Sequence, residues 1–424
     1  MTKKTRTILF LSFLTLFLLL APAIVLYSQG YRFDLENKKL SQTGGLFLKV
    51  LPKQAEVYLD DKLSKKTDFF FGSVLIENLL PQKYKIEVRK EGFYAWEKNL
   101  EIKEKQVAEA KNIILFPENP KFSVLFSEVK KFWFSPDQKK LVLLENDVQS
   151  GLWALKLYEV EKKIKTHLIY ETDISSQGAD LIFVEFSPDA KKISLEAGVR
   201  EQLRYYEIDL DRTPATITRK EDPLLPLENI IAHLKEGNEI YYLDAFGYLY
   251  KSDLSLEMKE KINEIPFPLI PETEYKVIKL NDLLFLQKEK SVYKLDSSSK
   301  SFEAFSEGIN DLKLSPDSRK LLYFSDYEIW LLSLEDELPL HKAGDKTMLL
   351  RLSEKIKDCS WLNSNYLVFT TEDKVKISET DDRDRTNIVD IKQTKNPDIF
   401  WNKIEKKLYL LEEKKLSVSD PLLP

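Results

Sequence analysis

Apolar and polar positions alternate in three regimes along this chain. From Ile8 to Tyr27 there is an unbroken run of 20 residues without a charge. At 1.5 Å per residue, a helix of that length covers roughly 30 Å, about one bilayer core. From residue 44 to 116 the apolar runs shorten and alternate with polar residues, plainly so in Tyr84-Lys85-Ile86-Glu87-Val88. Period two of this kind marks a half-buried strand. The expected strands are 46–50, 56–59, 83–89 and 95–102, with turns at Pro52, Asp60-Asp61, Pro81-Gln82 and Glu91-Gly92. They form a small β-sandwich.

The third regime begins near residue 117 and repeats. Phe134-Ser135-Pro136-Asp137, Phe186-Ser187-Pro188-Asp189 and Leu314-Ser315-Pro316-Asp317 each end one apolar run, and basic residues then open the next. Proline presets φ for a turn and aspartate bonds its own downstream backbone, so each phrase predicts a tight turn between strands. Degraded copies stand at His233 to Asn238, Asn281-Asp282, Trp361 to Asn365 and Trp401-Asn402-Lys403. Repetition of several short strands per unit points to propeller blades rather than to a helical solenoid. The last unit supplies three strands, 398–401, 407–411 and 415–419, and an unassigned strand at 121–126 precedes the first. Pairing that strand with the last three closes a ring of seven blades and removes two open edges; six or eight blades are the alternatives.

These phrases resemble the repeats of TolB-type and WD-like β-propellers. Residues 44–116 resemble the PEGA domain, through Pro52-Lys53-Gln54-Ala55, Val57-Tyr58-Leu59-Asp60-Asp61, Leu80-Pro81-Gln82-Lys83-Tyr84 and Glu91-Gly92-Phe93-Tyr94-Ala95-Trp96. Lys53-Gln54 replaces the Glu-Gly of the family's naming tetrad, and its Gly-x-Thr-Pro is reduced to Lys66-Thr67. The resemblance implies an envelope adaptor module rather than a reaction. The expected fold class is therefore all-β after one apolar helix: tail 1–7, transmembrane anchor 8–27, linker 28–43, PEGA-like sandwich 44–116 and propeller 117–424.

Charge sets the orientation. Lys3, Lys4 and Arg6 precede the apolar run, whereas Arg32, Lys38 and Lys39 on the other side mix with Asp34 and Glu36. The positive-inside bias keeps the tail in the cytoplasm and places the rest outside the cytoplasmic membrane. A cleaved signal peptide, with Ala21-Pro22-Ala23 as its small residues, is the competing reading, but the run exceeds the usual 7–15 residues. The net charge of −5, from 69 acidic and 64 basic residues, argues against nucleic acid as a partner.

Candidate chemistry is sparse. His167, His233 and His341 lack metal-site spacing, and the lone Cys359 reads as a buried small hydrophobe. Asp381 to Asn387 fails as a calcium loop, because Asn387 stands where glycine is needed and Gln393 where glutamate is needed. It reads as a solvated hairpin loop between 375–377 and 388–391. The sequence contains neither a Gly-x-Ser-x-Gly elbow nor a phosphate-cradling loop. No catalytic residue, cofactor or metal is expected. The repeated Ser135, Pro136, Asp137, Ser187, Pro188, Asp189, Ser315, Pro316 and Asp317 are structural turns. Phe69, Phe70, Phe71, Tyr94 and Trp96 are the candidate contacts, with core packing expected to take most of them.

The expected function is that of a non-catalytic, membrane-anchored scaffold whose propeller face engages a protein or an envelope polymer. Two alternatives stand beside it. One is a propeller-type glycoside hydrolase or lyase with channel carboxylates. The other is an extracytoplasmic sensor that acts through a membrane partner.

Overall fold

In a computed structural model the described residues are 3–35, 38–146, 151–200, 202–212, 215–220, 229–253, 256–337 and 340–423. Met1 and Thr2 of the expected tail, Glu36 and Asn37 of the expected linker, and Pro424 at the end of the expected propeller lie outside them. The chain forms two compact units, one of residues 1–120 with 377–391 and 422–424, the other of residues 121–376 with 392–421.

The first unit opens with α1 (Lys3–Ser28), which the charged residues before Ile8 extend at its start and which carries Pro22 inside it. It is long and apolar enough to cross a membrane, and its apolar side chains are uncovered all around the helix. A helix apolar on every face needs an apolar surrounding rather than water. The stretch expected as a linker instead folds as a hairpin, β1 (Tyr31–Asp34) against β2 (Lys39–Gln42).

Seven further strands follow in this unit: β3 (Gly44–Leu51), β4 (Glu56–Leu59), β5 (Lys62–Lys66), β6 (Ser73–Leu79), β7 (Lys83–Arg89), β8 (Trp96–Glu101) and β9 (Val107–Ile114). They make two sheets, ordered β6-β3-β9 and β5-β4-β7-β8. Leu46, Leu48 and Val50 from one sheet meet Val57, Ile86, Val88 and Leu100 from the other in a single core. The unit is thus a β-sandwich, in which β3 and β9 run parallel.

The second unit begins with β10 (Phe122–Phe126). Among the described residues from 121 onward stand seven four-stranded antiparallel sheets, six of them formed from strands consecutive in sequence, the last two strands of the sixth lying largely within the segment 377–391 of the first unit. They cover residues 129–170, 180–220, 230–261, 275–306, 309–351 and 358–393; the seventh joins 398–419 to β10. In that last sheet β10 pairs with Lys415–Ser419, setting Phe122 opposite Ser419 and Val124 opposite Ser417. Leu155 and Leu157 of the first sheet pack on Val184 and Leu195 of the second. The same face-to-face packing joins the third sheet to the fourth, the fourth to the fifth and the fifth to the sixth. The seventh packs back on the first, where Phe134 stacks on Phe400 at 4.2 Å and meets Tyr409 at 4.8 Å. Four-stranded sheets packed one on the next, the seventh back on the first, make a β-propeller.

Trp153 donates to the Ala179 carbonyl at 2.6 Å and Trp361 to the Lys313 carbonyl at 2.9 Å, each bond reaching toward the neighbouring sheet. These two tryptophans therefore pack between sheets, with their N–H groups satisfied.

Candidate functional site

The three Ser-Pro-Asp turns are near copies. Ser135, Ser187 and Ser315 each donate from the hydroxyl to the aspartate two residues on, at 2.6, 2.6 and 2.7 Å. Each hydroxyl also accepts the N–H of Lys140, Lys192 or Lys320 at 2.9 Å. Burial pushes the Asp137 and Asp317 carboxyls up, but their serine hydroxyls and the Lys139 and Arg319 N–H groups outweigh it and leave both below the usual range. At Asp189 the Ser187 hydroxyl leads in the same direction. In the degraded copies asparagine does the aspartate's work: Asn402 accepts from the Ile404 and Glu405 N–H groups at 3.0 Å, and Asn363 from Asn365 at 2.8 Å. A device repeated from sheet to sheet shapes turns.

The five aromatic candidates divide. Phe69, Phe70 and Phe71 join β5 to β6 and are 65%, 73% and 72% exposed, so the expectation that most of them pack in a core does not hold. The Asp68 carboxylate fixes their turn by accepting the N–H groups of Phe70 at 2.8 Å, Phe71 at 2.6 Å and Ser73 at 2.7 Å, with the Ser73 hydroxyl at 2.6 Å. That hydroxyl, then the Phe71 N–H, holds the Asp68 carboxyl far below its ordinary value. Gly72 completes the turn at φ +69°, where a Cβ would stand 2.3 Å from the Val50 carbonyl oxygen. The three rings are thus displayed on a prefixed backbone.

Trp96 is buried and donates to Glu379 Oε2 at 2.7 Å, and Tyr94 donates to the Asp390 carbonyl at 2.9 Å. Both are committed to contacts inside the first unit. The loop expected to be solvated is packed there too. Lys98, with 0% of its side chain exposed, meets Glu379, 4% exposed, at 2.8 Å and donates to the carbonyls of Asp381 at 2.6 Å and Arg385 at 2.8 Å. Glu379 Oε1 also accepts from the Asn387 side chain at 2.7 Å. Asp384 receives the Asn99 N–H at 3.0 Å, the first cause of a carboxyl held down to about 2.

A charged cluster on the first strands of the second unit escaped the sequence reading. Lys313 donates to Asp358 at 2.6 Å and to Ser360 Oγ at 2.8 Å, with Asp311 at 3.7 Å. Asp398 opens the first strand of the seventh sheet, touching water yet enclosed by protein on most sides. Burial and the Asp358 charge push its carboxyl above the usual range, and Lys131 offsets part of this. Cys359, between Asp358 and Ser360, is fully buried, and burial pushes its thiol up. None of the described residues forms a group of three or more metal-binding side chains.

The cluster makes a signed prediction. Because the folded-state pKa of Asp398 is raised, its charge opposes folding above that value and costs nothing once pH falls below the ordinary aspartate pKa of about 3.9. Asp398→Asn is therefore expected to stabilise the protein at neutral pH by at most about 1 kcal/mol, water trimming the gain, and to give none near pH 3. Denaturant unfolding at the two pH values reads the difference; an equal gain at both would rule out charge as its cause.

No protein-family model matches this chain, and no curated protein matches it. Among solved structures it is similar to the β-propeller domain of Cps50 (Swd1) from Myceliophteria thermophila, at 13% identity and a TM-score of 0.43 over 72% of this chain and 99% of that one. It is also similar to YCF48 from Cyanidioschyzon merolae, at 9% identity and a TM-score of 0.47 over 71% of this chain and 99% of that one. The propeller assignment rests on the order and packing of the sheets themselves.

Proposed function

We propose that this chain is a non-catalytic binding protein of the cell envelope, anchored in the cytoplasmic membrane by residues 8–27 with its first residues inside. In this reading residues 44–116 are a PEGA-like sandwich, and the remainder is a seven-bladed propeller closed by β10. One observation carries the binding role: Phe69, Phe70 and Phe71 stand exposed on a turn that Asp68 and Gly72 fix in advance. An exposed apolar patch on a rigid support fits a contact surface, because little ordering entropy is lost when it is covered. The strand β6 leads from this turn at Ser73 to Leu79, which pairs with Gly44 near the end of α1. Six residues of strand span roughly 20 Å, so the rings lie a strand's length from that end and suit a protein or envelope polymer.

The test is co-purification from envelope membranes with the full chain and with Phe69→Ser/Phe70→Ser/Phe71→Ser. The substituted rings make no core contact, so the variant is expected to fold, with unchanged circular dichroism, and to lose a specific co-purifying component. Recovery of the same components by both proteins would refute the role of the turn.

A second reading, a propeller-type glycoside hydrolase or lyase, draws support from the Asp358 and Asp398 pair. It requires polysaccharide cleavage by the native chain that Asp398→Asn abolishes.

A further inference from the structure

The hairpin that follows α1 is built inside out. In β1 and β2, Phe33 pairs with Leu40 and both are exposed, at 57% and 48%, while Asp34 and Ser41 are buried at 5% and 1%. Residues paired across an antiparallel ladder share a face, so Phe33 and Leu40 form one outward apolar surface. Leu35 extends it and is exposed as well. A hairpin in water presents the opposite pattern, polar out and apolar in.

The hairpin is also clamped to the end of α1. Thr43 donates to the Gly30 carbonyl from its N–H at 2.9 Å and its hydroxyl at 2.8 Å, and Gln42 donates to the Gln29 carbonyl at 3.1 Å. Arg32 donates to the carbonyls of Tyr27 and Tyr31 at 2.9 Å and lays its guanidinium over the Tyr27 ring at 3.5 Å. Its other nitrogen reaches Asn78 of β6 at 2.9 Å, tying the hairpin to the sandwich. Phe33 follows Gly30 by three residues, roughly 10 Å of extended chain. That is about the depth over which interfacial segments embed. Lys38 and Lys39 stand exposed immediately before Leu40, Lys39 on the opposite face as the partner of Asp34, and apolar side chains with lysines next to them in the chain are the composition of segments that lie in a lipid interface.

We infer that β1 and β2 lie on the bilayer where α1 leaves it, with Phe33, Leu35 and Leu40 embedded among the lipid headgroups and upper acyl chains. This rests on the proposed anchor. It adds a second lipid-binding element, one that fixes the tilt of the first unit relative to the membrane.

The test uses the full chain in vesicles of phosphatidylcholine and phosphatidylglycerol. An environment-sensitive fluorophore is attached at Leu40→Cys or, in a separate protein, at Leu16→Cys within α1; the buried Cys359 stays unlabelled in the folded protein. Lipids carrying a nitroxide near the headgroup are expected to remove about half of the Leu40→Cys emission, as fits a shallow position. Lipids with a nitroxide deep in the acyl chain quench Leu16→Cys instead. Quenching at Leu16→Cys without quenching at Leu40→Cys overturns this inference and leaves the anchor standing. Absence of quenching at both overturns the two together. A Leu40→Cys probe shielded from aqueous iodide but untouched by nitroxide lipids means that protein covers the face, and also overturns it.

Discussion

Replacing Lys98 by methionine is expected to destabilise the first unit by about 3–5 kcal/mol, the cost of removing one partner of a buried ion pair. The side chain is fully buried between Trp96 and Leu100 on the inward face of β8. Its ammonium is matched to Glu379 and to the Asp381 and Arg385 carbonyls. Methionine fills the space but leaves a buried carboxylate without its counter-charge and the Asp381 and Arg385 carbonyls without this donor. Asp381 loses help as well: burial pushes its carboxyl up, and Arg383 and then Lys98 hold it below the usual range.

Hydrogen exchange of the β7 and β8 amides reads the effect as a loss of protection of roughly 10²–10⁴-fold. The double variant Lys98→Met/Glu379→Gln should lose clearly less than the sum of the single changes, because the orphaned charge is removed with its partner. Additive losses would mean that the two groups are not coupled.

The second large effect is expected in the propeller. Phe285 is fully buried between the fourth and fifth sheets and begins an aromatic chain through Phe305 at 5.4 Å, Tyr323 at 5.1 Å and Trp330 at 6.2 Å. Phe285→Ala removes a ring where both neighbouring sheets are already packed, so the gap can close only in part and the loss is about 3–5 kcal/mol. Denaturant unfolding followed by tryptophan fluorescence measures it. A loss below about 1 kcal/mol, the size of an ordinary surface change, would show that this interface repacks freely.

The propeller's grammar was legible because it is local. A Ser-Pro-Asp turn joins residues five apart, and the strands on either side carry enough apolar residues to be read without knowing their neighbours. Lys62–Lys66 was not legible, since an edge strand exposed at every position has no period-two signal. The hairpin of β1 and β2 was read as a linker because its apolar residues point away from the core. Lys98 stood in phase with Trp96 and Leu100, a usable hint of burial, but its partner lies far along the chain and nothing local marks it. The phenylalanine triple carried its own signal in Asp68 before it and Gly72 after it, the residues of a turn, although composition alone argued for a core. The Asp358 and Asp398 pair comes from the first strands of the sixth and seventh sheets, which lie 40 residues apart in the chain and meet only through the packing of one sheet beside the next.

The pairing of β10 with Lys415–Ser419 also sets the order of events during synthesis. The first partner leaves the ribosome almost 300 residues before the second, about 15–60 s earlier at ordinary elongation rates. Through that interval the six consecutive sheets can form while the edge that β10 must cover does not yet exist. The nascent chain therefore carries an unpaired strand just after the sandwich until residues 415–419 arrive, the period in which a chaperone has most to protect and a premature stop does most harm.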